Sequence, residues 1–111
     1  MAELPFEVDC VATKAQLDAG GNSLLLDCRE PDEYALVKIE GAKLLPMSEL
    51  ADRVAELEPY RDQSIIVHCH HGGRSMTAAT GLRQLGFSGA QSMAGGIDEW
   101  SLSVNPAVPR Y

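Results

Sequence analysis

Ser64-Ile65-Ile66-Val67-His68-Cys69-His70-His71-Gly72-Gly73-Arg74-Ser75 is the stretch on which the fold turns. Its opening, from Ser64 to His68, is a short apolar run rich in β-branched residues, as in a strand buried on both faces. A glycine-rich turn comes next and leads into a helix-like stretch from Met76 to Leu85. Cys69 therefore stands where a buried strand ends and a helix begins. In an α/β protein, ligands bind at that point and a helix N-terminus gathers anions there. The same position lowers a thiol's pKa, which makes Cys69 a candidate nucleophile.

Outward from this point, strands and helices alternate. Upstream, Leu24-Leu25-Leu26 predicts a buried strand that delivers Asp27-Cys28-Arg29 at its end. Pro31 suits the first turn of a short helix, with Asp32 and Glu33 at its positive end. Lys43-Leu44-Leu45, closed by Pro46, predicts another strand. Ser48 is expected to cap a helix with Leu50, Val54 and Leu57 on one face, followed by Pro59. Nearer the start, Phe6-Glu7-Val8 reads as an edge strand. Thr13 to Gln16 reads as a capping box, stapled by Ala12 and Leu17, for a helix that stops at Gly20-Gly21. Downstream, Gly86 with Phe87 behind it fits a Schellman stop. Ala90 to Met93 is a last strand, and Gly95-Gly96 leads into a short helix through Trp100, with Ile97 and Trp100 as core. Short apolar strands alternating with helices predict an α/β domain with a parallel sheet covered by helices on both faces. Residues 1–111 are expected to form this one domain, with 102–111 as an extended tail that is either a strap across the body or a linker. No internal repeat or low-complexity segment interrupts it.

The bulk numbers narrow the function classes. One hundred and eleven residues, 45% of them hydrophobic, fit one compact core. Nine basic against sixteen acidic residues give a net charge of −7, which argues against a nucleic-acid partner. A small anionic substrate remains compatible, because a local basic pocket can sit on an acidic body. No apolar stretch approaches membrane-spanning length and no leader pattern opens the chain, so the expected location is the cytoplasm, with no membrane partner. Three widely spaced cysteines, Cys10, Cys28 and Cys69, form no C-x-x-C pair and suggest a reducing compartment. Adjacent residues of the run His68-Cys69-His70-His71 cannot all turn toward one ion, and no second Cys/His pair occurs elsewhere, so no metal is expected.

The turn itself favours negative charge. Gly72 and Gly73 can adopt φ > 0 and let successive backbone N–H groups face inward as an anion nest. Arg74 adds a permanent charge at the mouth, and Ser75 can cap the following helix. The thiol pKa of Cys69 should therefore fall below its ordinary value. An inert core thiol needs neither glycines nor an arginine beside it, whereas Cys10 and Cys28 read as small hydrophobes. Cys28 has a second reading as a resolving thiol. Asp27 and Arg29 read as a structural hydrogen-bond anchor at a strand end. His70 and His71 are either solvated loop residues or a source of partial positive charge that tunes donor preference.

Four segments in order carry a resemblance: Leu26-Asp27-Cys28-Arg29-Glu30-Pro31-Asp32-Glu33-Tyr34, Ile39-Glu40-Gly41-Ala42 with Pro46, the turn from Cys69 to Ser75, and Gly95-Gly96-Ile97-Asp98-Glu99-Trp100. The chain resembles the single-domain rhodanese-like sulfurtransferase family. Val37-Lys38-Ile39 stands where that family often has Gly-His-Ile. The resemblance implies a central parallel sheet of about five strands flanked by helices. It implies that Cys69 takes a sulfane sulfur from thiosulfate or a persulfide donor and passes it to cyanide or a protein thiol. Arg74 would join Cys69 in catalysis, and His70, His71, Gly72, Gly73 and Ser75 would meet the small anionic donor. Asp27, Arg29 and Glu33 would brace the fold beside the loop, and no cofactor would be required. In the resembled family a six-position loop such as Cys69–Arg74 fits sulfur, while related phosphatases use one residue more. A phosphatase or arsenate reductase is thus a lesser alternative. The tail from Val104 to Tyr111 resembles the ends of rhodanese-like domains attached to adenylating enzymes of cofactor sulfuration. That suggests a second alternative, a relay module acting only with a sulfur-carrier or adenylating-enzyme partner.

Overall fold

The computed structural model describes residues 4–111. Five strands, β1 (Glu7–Val8), β2 (Leu24–Asp27), β3 (Lys43–Leu44), β4 (Ile65–His68) and β5 (Ala90–Met93), form one sheet in the order β1-β5-β4-β2-β3. Every pairing is parallel, and β2 and β4 run in register from Leu24 opposite Ile65 to Asp27 opposite His68. All residues of β2 and β4 are buried. Their side chains alternate between two apolar layers, as the two-residue period of a strand requires. Leu24, Leu26, Ile65 and Val67 face one layer with Ala78, Ala79 and Leu82 of helix α4 (Gly73–Gln84). Leu25 and Ile66 face the other, with Cys10 of α1 (Cys10–Asp18) and Ile97 and Trp100 of α5 (Gly96–Ser103). The expected sheet with helices on both faces is the observed one.

The chain leaves β2 toward β3 and leaves β4 toward β5, so the connections diverge between β2 and β4. A crevice opens at such a switch point. Residues 28 and 69, just past the ends of these two strands, stand at it. The Schellman stop forms as read: Gly86 has φ +95°, its N–H donates to Arg83, and the Phe87 N–H donates to Leu82.

Three local expectations are corrected. The first helix begins at Cys10, because the Asp9 carboxylate accepts from the Ala12 N–H at 2.7 Å and preempts Thr13 as cap. Thr13 instead donates its hydroxyl back to the Asp9 carbonyl, and the Gln16 side chain donates to Ser64 and not to a cap. Ser48 caps nothing: it lies in a 3-10 turn, Met47–Glu49, and donates to Glu30. After α3 (Leu50–Arg53) a second 3-10 stretch, Val54–Tyr60, carries Pro59 within it, yet Leu57 is still buried and Leu50 and Val54 pack around it. Ser75 is likewise no cap, because α4 already starts at Gly73 with Gly72 as its N-cap at φ +111°. A short helix α2 (Pro31–Leu36) follows β2 and is opened by Glu30 and Glu33, each accepting from the other's backbone N–H.

Candidate active site

Cys69 is 1% exposed at the end of the central strand β4. Its sulfur accepts from the Gly72 N–H at 3.1 Å and the Ser75 N–H at 3.4 Å, the first amides to turn inward at the start of α4. Ser75 Oγ lies 3.5 Å from the same sulfur and 2.7 Å from Ser92 Oγ of β5. A thiolate has no proton to give, so toward it the Ser75 hydroxyl is the donor, sharing its one proton with the Gly72 carbonyl at 3.1 Å, and Ser92 donates to Ser75. These donors, with the neighbouring Cys28 thiol as the largest influence, outweigh burial and lower the Cys69 thiol from 9.0 to about 4. The lowering favours the thiolate at neutral pH. The other two cysteines move the opposite way. Burial raises Cys10 to about 11, and hydrogen bonding to Cys69 together with burial raises Cys28 further.

The outer side of the loop is held by α5. The Ile97 N–H donates to the Cys69 carbonyl at 2.9 Å and the Asp98 N–H to the His70 carbonyl at 3.1 Å. Gly96, at φ +61°, allows this approach, since a Cβ there would run into the Cys69 and His70 carbonyls. With its carbonyls satisfied on one side, the loop turns amides toward the sulfur on the other. Sequence reasoning read Gly95-Gly96 as a helix opening only; the signal available was the pair of adjacent glycines, whose partner on the loop was not visible.

Arg74 does not present a free charge. Its guanidinium grips Glu33 of α2 in a two-pronged pair, at 2.6 and 2.9 Å. Arg74, with lesser help from Tyr111 and the Glu30 N–H, holds the Glu33 carboxyl at about 2. Asp27 and Arg29 form a separate pair with no solvent exposure, at 2.7 Å. Arg29 also donates to the Val37 carbonyl at 2.7 Å and so ties β2 to the end of α2. Tyr111 joins the two pairs: its hydroxyl accepts from Arg29 at 2.9 Å and donates to Glu33 at 2.8 Å. Asp27, Arg29 and Glu33 are thus brought together, but through Tyr111, which sequence reasoning did not single out because nothing in a tail residue announces its distant partners. Beneath them, His68 is fully buried and held neutral by that burial, its Nε2 being 3.6 Å from Asp27.

His70 and His71 lie outside the sulfur's contacts. Their rings stack at 3.8 Å, and His70 also stacks on Tyr111 at 3.8 Å while its Nε2 donates to the Tyr111 main-chain oxygen at 2.8 Å. With Asp98 they form the one grouping among the described residues whose donor atoms could jointly meet a cation, within 4.8 Å of one another. Arg110 already occupies that carboxylate, at 2.8 and 3.2 Å. Gly73, expected like Gly72 at positive φ, is instead the first residue of α4 with a helical backbone, and the amides that meet the sulfur are those of Gly72 and Ser75.

A family model described as "Rhodanese-like domain" matches residues 11–103, which include the whole loop. The chain belongs to the rhodanese-like family. This rhodanese-like domain is 36% identical over 83 residues to the thiosulfate sulfurtransferase GlpE of Pseudomonas paraeruginosa, covering 75% of the chain and 73% of that protein. It is 33% identical over 95 residues to the probable adenylyltransferase/sulfurtransferase MoeZ of Mycobacterium tuberculosis, covering 86% of the chain and 24% of that protein. The domain spans only about a quarter to a third of the longer curated relatives it matches. Among solved structures, the rhodanese-related protein from Thermoplasma volcanium superposes with a TM-score of 0.80 at 31% identity, covering 95% of this chain and 98% of that one. Among the described residues no helix is long and apolar enough to cross a membrane.

Proposed function

We propose that this domain is a sulfurtransferase in which Cys69 carries a sulfane sulfur as a persulfide. The observation that carries the reading is the convergence of the Gly72 and Ser75 amides and the Ser75 hydroxyl on one sulfur, whose thiol pKa they lower. In the first step the Cys69 thiolate attacks the outer sulfur of thiosulfate. The donor's S–S bond breaks and sulfite leaves with the electron pair. In the second step cyanide or a thiolate attacks the terminal sulfur of the persulfide, and the Cys69 thiolate leaves. Each step is a displacement at sulfur, so no electron sink or organic cofactor is needed. The inward amides stabilise the negative charge at both stages, as an oxyanion hole does. Arg74 acts as a positioning residue, locking the start of α4 to α2 through Glu33 and contributing a screened charge to donor approach. His70 and His71 line the outer rim. Asp27, Arg29 and Glu33 brace the strand end and α2 against the loop.

The likeness to part of MoeZ favours a protein acceptor as the physiological thiophile, with thiosulfate as one donor among several. A relay of that kind would load faster from the persulfide of a cysteine desulfurase than from thiosulfate. The three cysteines, free and buried, suit the reducing cytoplasm. The test is intact mass after incubation with donor. Wild type should gain about 32 Da, one sulfur, on Cys69. Cys69→Ser should gain nothing and should lose thiosulfate:cyanide transfer while keeping its fold. An adduct on Cys69→Ser, or transfer by it above about one hundredth of wild type, rejects the reading.

A further inference from the structure

Cys28 carries no sulfur in the transfer just described and acts there only by favouring the Cys69 thiolate, yet it is the thiol that the fold places beside Cys69. The Cys28 N–H donates to the His68 carbonyl at 3.0 Å, which carries the β2–β4 ladder one residue beyond Asp27 and His68. Cys28 therefore stands directly beside Cys69. Adjacent strands lie about 4.8 Å apart, inside the Cα separation of about 4.4–6.8 Å that a disulfide spans. In-register neighbours on parallel strands project to the same face, and both cysteines belong to the same apolar layer. They are 0% and 1% exposed, so an exchange between them needs no access from solvent. Cys10 packs in the opposite layer. The mutual influence on titration fits this register: the Cys28 thiol favours the Cys69 thiolate, and Cys69 raises Cys28. Both shifts favour leaving the proton shared by the pair on Cys28.

We propose that Cys28 is a resolving thiol, so that a persulfide left without an acceptor is discharged as sulfide while Cys28 and Cys69 close an intrachain disulfide. Cys28 Sγ attacks Cys69 Sγ, the inner sulfur of the persulfide. The persulfide S–S bond breaks, and the terminal sulfur departs with its electron pair and takes up the proton of Cys28 as hydrosulfide. The sulfane sulfur is reduced, and the two cysteine sulfurs are oxidised into the new bond. A dithiol reductant reopens the disulfide and restores the Cys69 thiolate. The sulfurtransferase thereby shuts itself off when acceptor is scarce and reductant is low, and releases sulfide when reductant is plentiful. The inference rests on the sulfurtransferase reading.

The test uses the whole chain as wild type, Cys28→Ser and Cys28→Val, the last keeping the site apolar and β-branched. Each reduced protein is loaded with thiosulfate, freed of donor and held without acceptor. Sulfide is measured, and the protein is denatured in N-ethylmaleimide, weighed and digested with trypsin. Wild type should lose its adduct of about 32 Da, release about one sulfide per chain and keep only Cys10 alkylatable. Its tryptic peptides 15–29 and 62–74 should be joined until a dithiol is added. Both variants should hold the adduct at least about tenfold longer and release no sulfide. Wild type that keeps its adduct as long as the variants, with Cys28 alkylated, overturns the resolving role and leaves the sulfurtransferase reading standing. If wild type neither gains the adduct nor releases sulfide, and neither variant gains the adduct from thiosulfate or from inorganic polysulfide, the sulfurtransferase reading itself fails and takes the resolving role with it.

Discussion

Ser75→Ala isolates one contributor to the anionic sulfur. The substitution removes the hydroxyl 3.5 Å from Cys69 Sγ and leaves the Gly72 and Ser75 amides and the Cys28 thiol in place. A hydrogen bond to a charged group is worth about 1.5–3 kcal/mol. This one is long and its acceptor is a diffuse sulfur, so the lower end applies, close to one pKa unit, or about 1.4 kcal/mol. The inflection should then move from about 4 to about 5. At pH 7 both proteins are almost wholly thiolate and alkylate at nearly the same rate. At pH 5 the thiolate fraction should fall from about nine-tenths to about half. The assay is the rate of carbamidomethylation of Cys69 by iodoacetamide, followed by mass from about pH 3 to about pH 9. Cys10 and Cys28, both raised, stay protonated across that range and do not interfere. An unchanged inflection in Ser75→Ala would show that the hydroxyl contributes nothing to the anion. A wild-type inflection at or above the ordinary thiol value, about 8.5, would refute the electrostatic reasoning altogether.

Gly96→Ala should cost most of the transfer activity, because the new Cβ meets the Cys69 and His70 carbonyls and pushes the loop off α5; the check is thiosulfate:cyanide turnover beside a circular-dichroism spectrum, which should stay native. Asp27→Asn leaves the guanidinium of Arg29 buried without its counter-charge and should destabilise the domain by about 3 kcal/mol in urea unfolding. The folded-state pKa of Glu33 is depressed, to about 2, so its contribution to stability is fully present above the ordinary carboxyl value and is lost as pH falls through about 2. Between pH 5 and 2 the melting temperature of wild type should accordingly drop more steeply than that of Glu33→Gln.

The two buried strands were legible in the sequence because Leu24 to Leu26 and Ile65 to Val67 are apolar without alternation, as burial on both faces demands. The stop at Gly86 was legible because it needs only a glycine and an apolar residue behind it. The start of α1 was misjudged because Asp9 and Thr13 both offer capping oxygens, and only the approach of the chain from β1 decides between them. The loop's position was readable, but its outer partner was not. Which segment lies beside Cys69 depends on strand order, and strand order is a property of the closed sheet. Cys28 illustrates the point: along the chain it is one apolar residue between two charged ones, and the register with β4 puts it next to the sulfur. Tyr111 is the same kind of case, since its hydroxyl meets Arg29 and Glu33 only after the whole domain has folded.

Because α5 pins the carbonyl side of the loop through Ile97 and Asp98, the pair of amides that meets Cys69 Sγ is assembled during folding and not during turnover. A donor then meets dipoles that already point the right way, and little reorganisation accompanies the arrival or departure of charge at the sulfur. Such a site has no internal clock: its rate should follow how quickly donor and acceptor are delivered to the rim formed by His70, His71 and the tail. Viscosity should slow a turnover of this kind more than a change in loop flexibility would.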